Sequence, residues 1–203
     1  MGWSVALACA SSGEPGRIFR PGLEPDADAA LDLARRLYPT AAVEETGATV
    51  LDFALWPYQD EMFIGVYPDA LVVCDRRLFC LDDEARHVAD SIASALPDSD
   101  CGVLVLHTMV AGCWFRWYSR GELKRDVYVT AEDGVVVDQG ERLDAEAPYW
   151  KSIDAGAGDV PLPFDQEQFG LDLARQLFGR DLADRGEDGF LPLELPLSRF
   201  RLG

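Results

Sequence analysis

His107 and Cys113 are the residues of this sequence best suited to acid–base or nucleophilic chemistry. His107 lies near the end of an apolar run, and Cys113 follows after a short connection. An imidazole can serve as a general base near neutral pH, and it activates a thiol when the two side chains are within hydrogen-bond reach. Asp75 is an alternative partner for His107. Such a pair predicts a small hydrolase or transferase, whereas a neutral core histidine with one satisfied hydrogen bond predicts no chemistry.

A second group of residues suits binding rather than catalysis. In the predicted strand 113–119, alternation places Trp114, Arg116 and Tyr118 on one face. Aromatic side chains that flank an arginine are enriched at recognition surfaces. This face is therefore expected either to present the aromatics to a ligand or partner, or to be covered by a later segment that contains Tyr149 and Trp150.

Asp75, Arg76 and Arg77 follow a buried strand and are expected at the rim of that binding face. Two adjacent guanidinium groups can hold a carboxylate or a phosphate. Ion pairs with the many carboxylates of the chain are the alternative for both arginines.

The composition narrows the classes of partner. Of the 203 residues, 36 are Asp or Glu and 18 are Lys or Arg, so the net charge is −18. A surface this acidic repels phosphate backbones, so we expect no nucleic-acid partner. An acidic inhibitor or immunity-type protein, directed at a basic partner, is a further hypothesis. A protein partner and a small anionic ligand both remain open.

The cysteines and the absent motifs point to a protein without a cofactor. The sequence has five cysteines, which is an odd number, and most of them lie in apolar runs. This pattern is typical of buried reduced thiols in a cytoplasmic protein. No pair has the close spacing of a zinc site, and no phosphate loop, dinucleotide fingerprint or serine elbow is present. We therefore expect no metal and no cofactor, and no apolar run is long enough for a membrane span.

The elements that must position these residues can be read from periodicity and turn signals. Helical spacing predicts three helices, which are followed by Pro39, Pro97 and Gly179. Apolar runs predict a hairpin and an antiparallel meander. The predicted helices cover residues 26–38, 82–96 and 166–178, the hairpin strands cover 63–67 and 70–74, and the meander covers 102–139. Further predicted strands include residues 4–10 and 49–56.

These elements predict one α+β domain over residues 1–179, a mainly antiparallel sheet with helices packed on it. Residues 154–159 are glycine-containing and are expected to form a loop. Residues 180–203 are predicted to be a tail, partly extended or mobile, because its prolines disfavour a helix or a central strand.

Several short stretches resemble a family of bacterial proteins that is defined only as a domain of unknown function. They are residues 38–39, 63–68, 72–75, 105–107, 146–150, 161–164 and 169–179. The resemblance covers most of residues 1–179, and it implies no substrate, cofactor or catalytic residue. The preferred hypothesis from the sequence is therefore a non-catalytic binding or protein-interaction domain.

Overall fold

The protein is built on one antiparallel sheet of nine strands, seen in a computed structural model that describes residues 2–12, 18–154 and 161–203. The elements, in chain order, are β1 (Val5–Ser11), α1 (Ala27–Leu37), β2 (Val43–Val50), α2 (Leu51–Ala54), β3 (Glu61–Tyr67), β4 (Ala70–Asp75), α3 (Asp83–Ala95), β5 (Asp100–His107), β6 (Gly112–Ser119), β7 (Glu122–Thr130), β8 (Gly134–Gly140), α4 (Ala147–Asp154), α5 (Gln166–Phe178) and β9 (Pro196–Leu202). The predicted α+β class is confirmed, but the sheet is larger and the helices are more numerous than the sequence indicated. The expected loop at 154–159 lies almost entirely outside the described residues.

The strand order is β2-β9-β3-β4-β1-β5-β6-β7-β8, and every neighbouring pair is antiparallel. The β3–β4 hairpin and the β5–β8 meander were both predicted, because their short turns force neighbouring strands to pair. β1 joins the two units at the centre of the sheet, between β4 and β5. The start of β1, the start of β3 and the ends of β4 and β5 consequently meet at one edge.

Helices cover both faces of the sheet, and each face has its own apolar core. On one face, Leu33 of α1 and Ile92 of α3 belong to the same buried cluster as Val103 of β5. On the other face, Phe169 and Leu173 of α5 pack in a cluster with Phe115 and other strand residues. Strands that are buried on both sides read as continuous apolar runs, as β5 does.

Three of the helices begin at an aspartate that caps the first turn. Asp26 accepts a hydrogen bond from the backbone N–H of Ala29, and Asp165 accepts one from that of Gln168. Asp82 accepts two, from the backbones of Glu84 and Ala85. A side-chain acceptor at this position satisfies a helix N–H that has no partner within the helix, so it fixes where the helix starts.

Two segments differ from their predictions. Residues 51–54 form α2 rather than part of a strand, and the strand before it, β2, occupies 43–50. Residues 180–203 are not an appended tail, because β9 pairs with β2 on one side and with β3 on the other. Pro196 is tolerated as the first residue of this central strand, where a missing N–H removes least from the ladder.

Within the described part of the chain, none of the helices has the length and apolar character that crossing a membrane requires.

Candidate functional site

The predicted pair of His107 and Cys113 does not form. In the register of β5 with β6, Leu106 lies opposite Cys113, so their side chains share one face of the sheet. His107, one residue further along, faces the other side. Cys113 is buried in the core under α5. Burial raises the pKa of its thiol, and the negative charge of Glu146 raises it further. A buried neutral thiol on the opposite face cannot act as a nucleophile for His107.

The prediction that Trp114, Arg116 and Tyr118 form an exposed surface is wrong, because these residues are only 2%, 5% and 2% exposed. α3 covers them, and Asp90 of that helix accepts hydrogen bonds from Arg116 Nη1 (3.0 Å) and the Tyr118 hydroxyl (2.7 Å). Asp126 of β7 accepts one from Trp114 Nε1 at 2.9 Å. The aromatic face is thus an internal contact between the meander and α3.

The segment that starts at Glu146 covers the opposite face, where Trp150 is in the cluster of α5. Glu146 is fully buried and accepts hydrogen bonds from Arg125 Nε (2.8 Å) and Nη2 (2.6 Å). It also accepts one from Trp150 Nε1 at 2.7 Å. This stretch, which contributes to the family resemblance, therefore holds the fold together.

Of the predicted anion-binding residues, only Arg76 remains available. Asp75 is buried, and its carboxylate accepts hydrogen bonds from the Tyr38 hydroxyl (2.9 Å) and from Arg77 Nη2 (2.8 Å). The Arg77 guanidinium also lies 3.6 Å from the centre of the Tyr38 ring. Arg77 and Asp75 thus satisfy each other, and Asp75 is committed to these partners rather than to His107.

The candidate site is a group of apolar side chains at the sheet edge where β1 and β3 start and β4 and β5 end. We call it the aromatic edge. It comprises Trp3, Phe53, Trp56, Tyr58 and Met109. Phe53, Tyr58 and Met109 are 75%, 69% and 86% exposed, although large apolar side chains are usually covered.

An open cleft of about 390 Å³ lies at this edge. Trp3, Phe53 and Trp56 form its aromatic wall, and Asp52 is the one ionisable side chain among the described lining residues. The remaining lining residues are Gly2, Ser4, Leu55 and Leu193. A concave surface with apolar walls and few polar groups is typical of a small-molecule site.

Trp56 connects the cleft to a cluster of side chains beside it. Its ring centre lies 4.4 Å from that of Phe79 and 5.7 Å from that of His107. The guanidinium carbon of Arg76 lies 4.8 Å from the Trp56 ring centre and 5.3 Å from that of Phe79. A guanidinium over an aromatic face is held by the negative potential of that face.

His107 packs beside this cluster, with its ring centre 5.4 Å from that of Phe79. Burial lowers its pKa, and the positive charge of Arg76 lowers it further. Its Nδ1 is covered, and none of the other described residues provides that nitrogen with a hydrogen-bond partner. His107 therefore packs edge-on against Trp56 and Phe79 and supports both rings.

Arg76 is exceptional among the cations of this acidic chain. In the described ranges, it is the one Lys or Arg that is partly buried and forms no ion pair. Its side chain also makes no hydrogen bond to a described residue, so none of its N–H donors has an acceptor within residues 2–12, 18–154 and 161–203.

Sequence reasoning missed the aromatic edge, since it assigned residues 49–56 to a strand whose side chains would be divided between two faces. The short α2 instead leaves Phe53 exposed, and Trp56 lies two residues after its end. The signal that could have found it is the density of aromatic residues at 53–58, next to Pro57, between two pairing strands.

Within residues 2–12, 18–154 and 161–203, no group of three His, Cys, Asp or Glu side chains is arranged to hold a metal ion. No curated protein and no solved structure matches the chain. A family model matches residues 4–200, and so extends through most of β9, past residue 179 where the sequence resemblance ended. The chain therefore belongs to a family of unknown function, DUF6928.

Proposed function

We propose that this protein is a non-catalytic binding domain, and that its site is the cleft of the aromatic edge. The observation that carries the proposal is the position of Phe53, which is 75% exposed beside the partly buried rings of Trp3 and Trp56. The cleft volume of about 390 Å³ suits one small ligand with an apolar ring.

Binding is favoured over catalysis by the surroundings of His107. A general base needs a nucleophile or a substrate proton within hydrogen-bond reach. Cys113 lies on the other face of the sheet, and Asp75 is occupied by Tyr38 and Arg77. These separations support a ligand-binding role for the edge over a hydrolase or transferase built on His107.

The acidic-inhibitor hypothesis receives less support from the distribution of charge. Exposed carboxylates occur on α1 (Asp28), β2 (Glu44), α3 (Glu84) and the segment before β9 (Glu187). An inhibitor of a basic protein needs such groups concentrated on its contact surface. Carboxylates spread over so many elements favour a general role in solubility.

Indole-3-acetamide tests the proposal, because it is neutral and its ring matches the apolar wall. We expect a titration followed by ¹H–¹⁵N NMR to shift the resonances of Trp3, Phe53 and Trp56 in the wild-type protein. Phe53→Ser removes one exposed ring from the cleft and should weaken binding about tenfold, within the range for loss of an aromatic contact.

Val136→Ser is the matched control, because Val136 is also exposed (48%) but lies on β8 at the far end of the strand order. It should leave the dissociation constant unchanged. Shifts that are absent, that fall outside the edge, or that are equal in Phe53→Ser and wild type would contradict the proposed site.

A further inference from the structure

We propose that Arg76 forms a carboxylate-binding subsite of the aromatic edge, so that the ligand carries a carboxylate next to its apolar ring. The inference rests on the proposed function, since it assigns the ligand class of the same site. It adds a charged group, in contact with Trp56, beside a cleft whose described lining is largely apolar.

The first argument is the missing ion pair. The chain has twice as many acidic residues as Lys and Arg, 36 against 18. The other partly buried arginines of the described residues each form an ion pair with a carboxylate. Arg77, the next residue, takes the carboxylate of Asp75. Arg76 takes none among the described residues, although a partly desolvated guanidinium gains most from an anionic partner.

The second argument is the way in which Arg76 is held. Trp56 and Phe79 contact its guanidinium through their rings, at 4.8 and 5.3 Å from the ring centres. Contacts of this kind restrain the guanidinium without using its N–H donors. A restrained guanidinium whose donors have no acceptor among the described residues is suited to two parallel hydrogen bonds to a carboxylate.

The third argument concerns the orientation of the ligand. Trp56 lines the cleft and also contacts Arg76, which is not itself among the described lining residues, so the guanidinium lies one side chain away from the cleft. Asp52, also in the cleft lining, repels an anion from its own side. The two charges together favour one orientation, with the ring in the cleft and the carboxylate toward Arg76.

The test compares indole-3-acetate with indole-3-acetamide, which share a ring and differ in charge. In the wild-type protein, we expect the acetate to bind about tenfold more tightly, as a charge-assisted pair implies. Arg76→Gln should abolish that difference and leave the affinity for the acetamide unchanged. Arg120→Gln is the charge-matched control, because Arg120 is an exposed arginine in the turn between β6 and β7 and pairs with no carboxylate of the described residues.

His107 supplies a second measurement that does not depend on affinity. The charge of Arg76 lowers its pKa, so a bound carboxylate that neutralises this charge should raise it. NMR titration of the His107 ring should show this rise in pKa with saturating indole-3-acetate. Indole-3-acetamide carries no charge to neutralise Arg76, so it should leave the pKa of His107 unchanged.

Each outcome decides between the two proposals. Equal affinities of the wild-type protein for the two probes would overturn the carboxylate subsite and leave the binding site intact. Loss of both probes in Arg76→Gln, with its NMR spectrum otherwise native, would make Arg76 a support for Trp56 rather than an anion contact. If neither probe binds the wild-type protein, the proposed function fails and this inference fails with it.

Discussion

At the scale of single residues, two networks of buried charges hold the meander in place, one on each face of the sheet. On the α5 face, Glu146 pairs with Arg125, and both side chains are 0% exposed. On the α3 face, Asp126 pairs with Arg116 at 3.1 Å. Each network joins the meander to a covering helix. A buried ion pair contributes less as attraction than as a constraint, because either partner alone leaves a charge without compensation.

Glu146→Gln tests the first network. The substitution keeps the volume of the side chain but removes its charge, so Arg125 retains a buried charge with only Asp138 as its partner. We expect the free energy of unfolding, measured by urea titration, to fall by about 3–5 kcal/mol.

Glu122→Gln is the control for this measurement, because Glu122 pairs with Lys124 at the surface. We expect it to leave the urea midpoint nearly unchanged, since exposed pairs contribute little. A similar shift of the urea midpoint in both variants would show that the buried ion pair of Glu146 contributes no more to stability than the exposed pair of Glu122.

At the scale of elements, α5 approaches the sheet closely because a glycine faces it. A Cβ built on Gly170 lies 2.6 Å from Leu106 Cδ2 and 2.7 Å from Cys113 Sγ. Both distances are shorter than van der Waals contact. The helix therefore accepts a residue with poor helix propensity in exchange for closer packing on β5 and β6.

Gly170→Ala sets these two effects against each other. Alanine favours the helix by about 1 kcal/mol over glycine, but overpacking a tight core costs about 1–3 kcal/mol. We expect a net loss of stability in thermal and urea unfolding. The loss should be smaller in a Cys113→Ala background, where one of the two contacts is relieved. An increase in stability on Gly170→Ala would show that the side chains around Gly170 can move to make room for the added methyl group.

The same scale explains which elements were predictable from the sequence. α1, α3 and α5 combine helical spacing with a capping aspartate, and the β5–β8 meander has short turns, so local signals suffice. α2 has only four residues, too few for a periodic pattern. β9 is specified by its neighbours, since β2 pairs with all seven of its residues and β3 with four of them, and that pairing is not encoded locally.

At the scale of the whole molecule, the position of the site depends on what covers the sheet. Alternation showed that Trp114 and Tyr118 share a face, but it could not show that α3 lies over them. Once both faces are covered, the uncovered aromatic surface is at an edge, on α2 and the loop that follows it. Fold class follows from patterns within elements, whereas the site follows from how the elements assemble.

Burial on both faces also predicts how the molecule responds to alkali. Burial raises the pKa of the Cys101 thiol to about 12, and it raises those of the Cys74 and Cys113 thiols and the Tyr118 phenol even further. Above about pH 8.5, the unfolded chain loses protons that the folded chain keeps. The free energy of unfolding should therefore decrease as the pH rises, by about 1.4 kcal/mol per pH unit for each such proton.

Urea unfolding between pH 7 and pH 11 measures this slope, with reducing agent present to keep the thiols free. Cys101→Ala removes one titrating thiol, so the slope of the free energy of unfolding with pH should become shallower by up to the contribution of one proton. This change in slope is independent of any loss of stability that the substitution causes at pH 7. Tyrosinate absorbance from the buried phenols should appear together with unfolding. A slope that is unchanged in Cys101→Ala, or phenols that titrate while the fold persists, would show that alkali reaches these groups without opening the two cores.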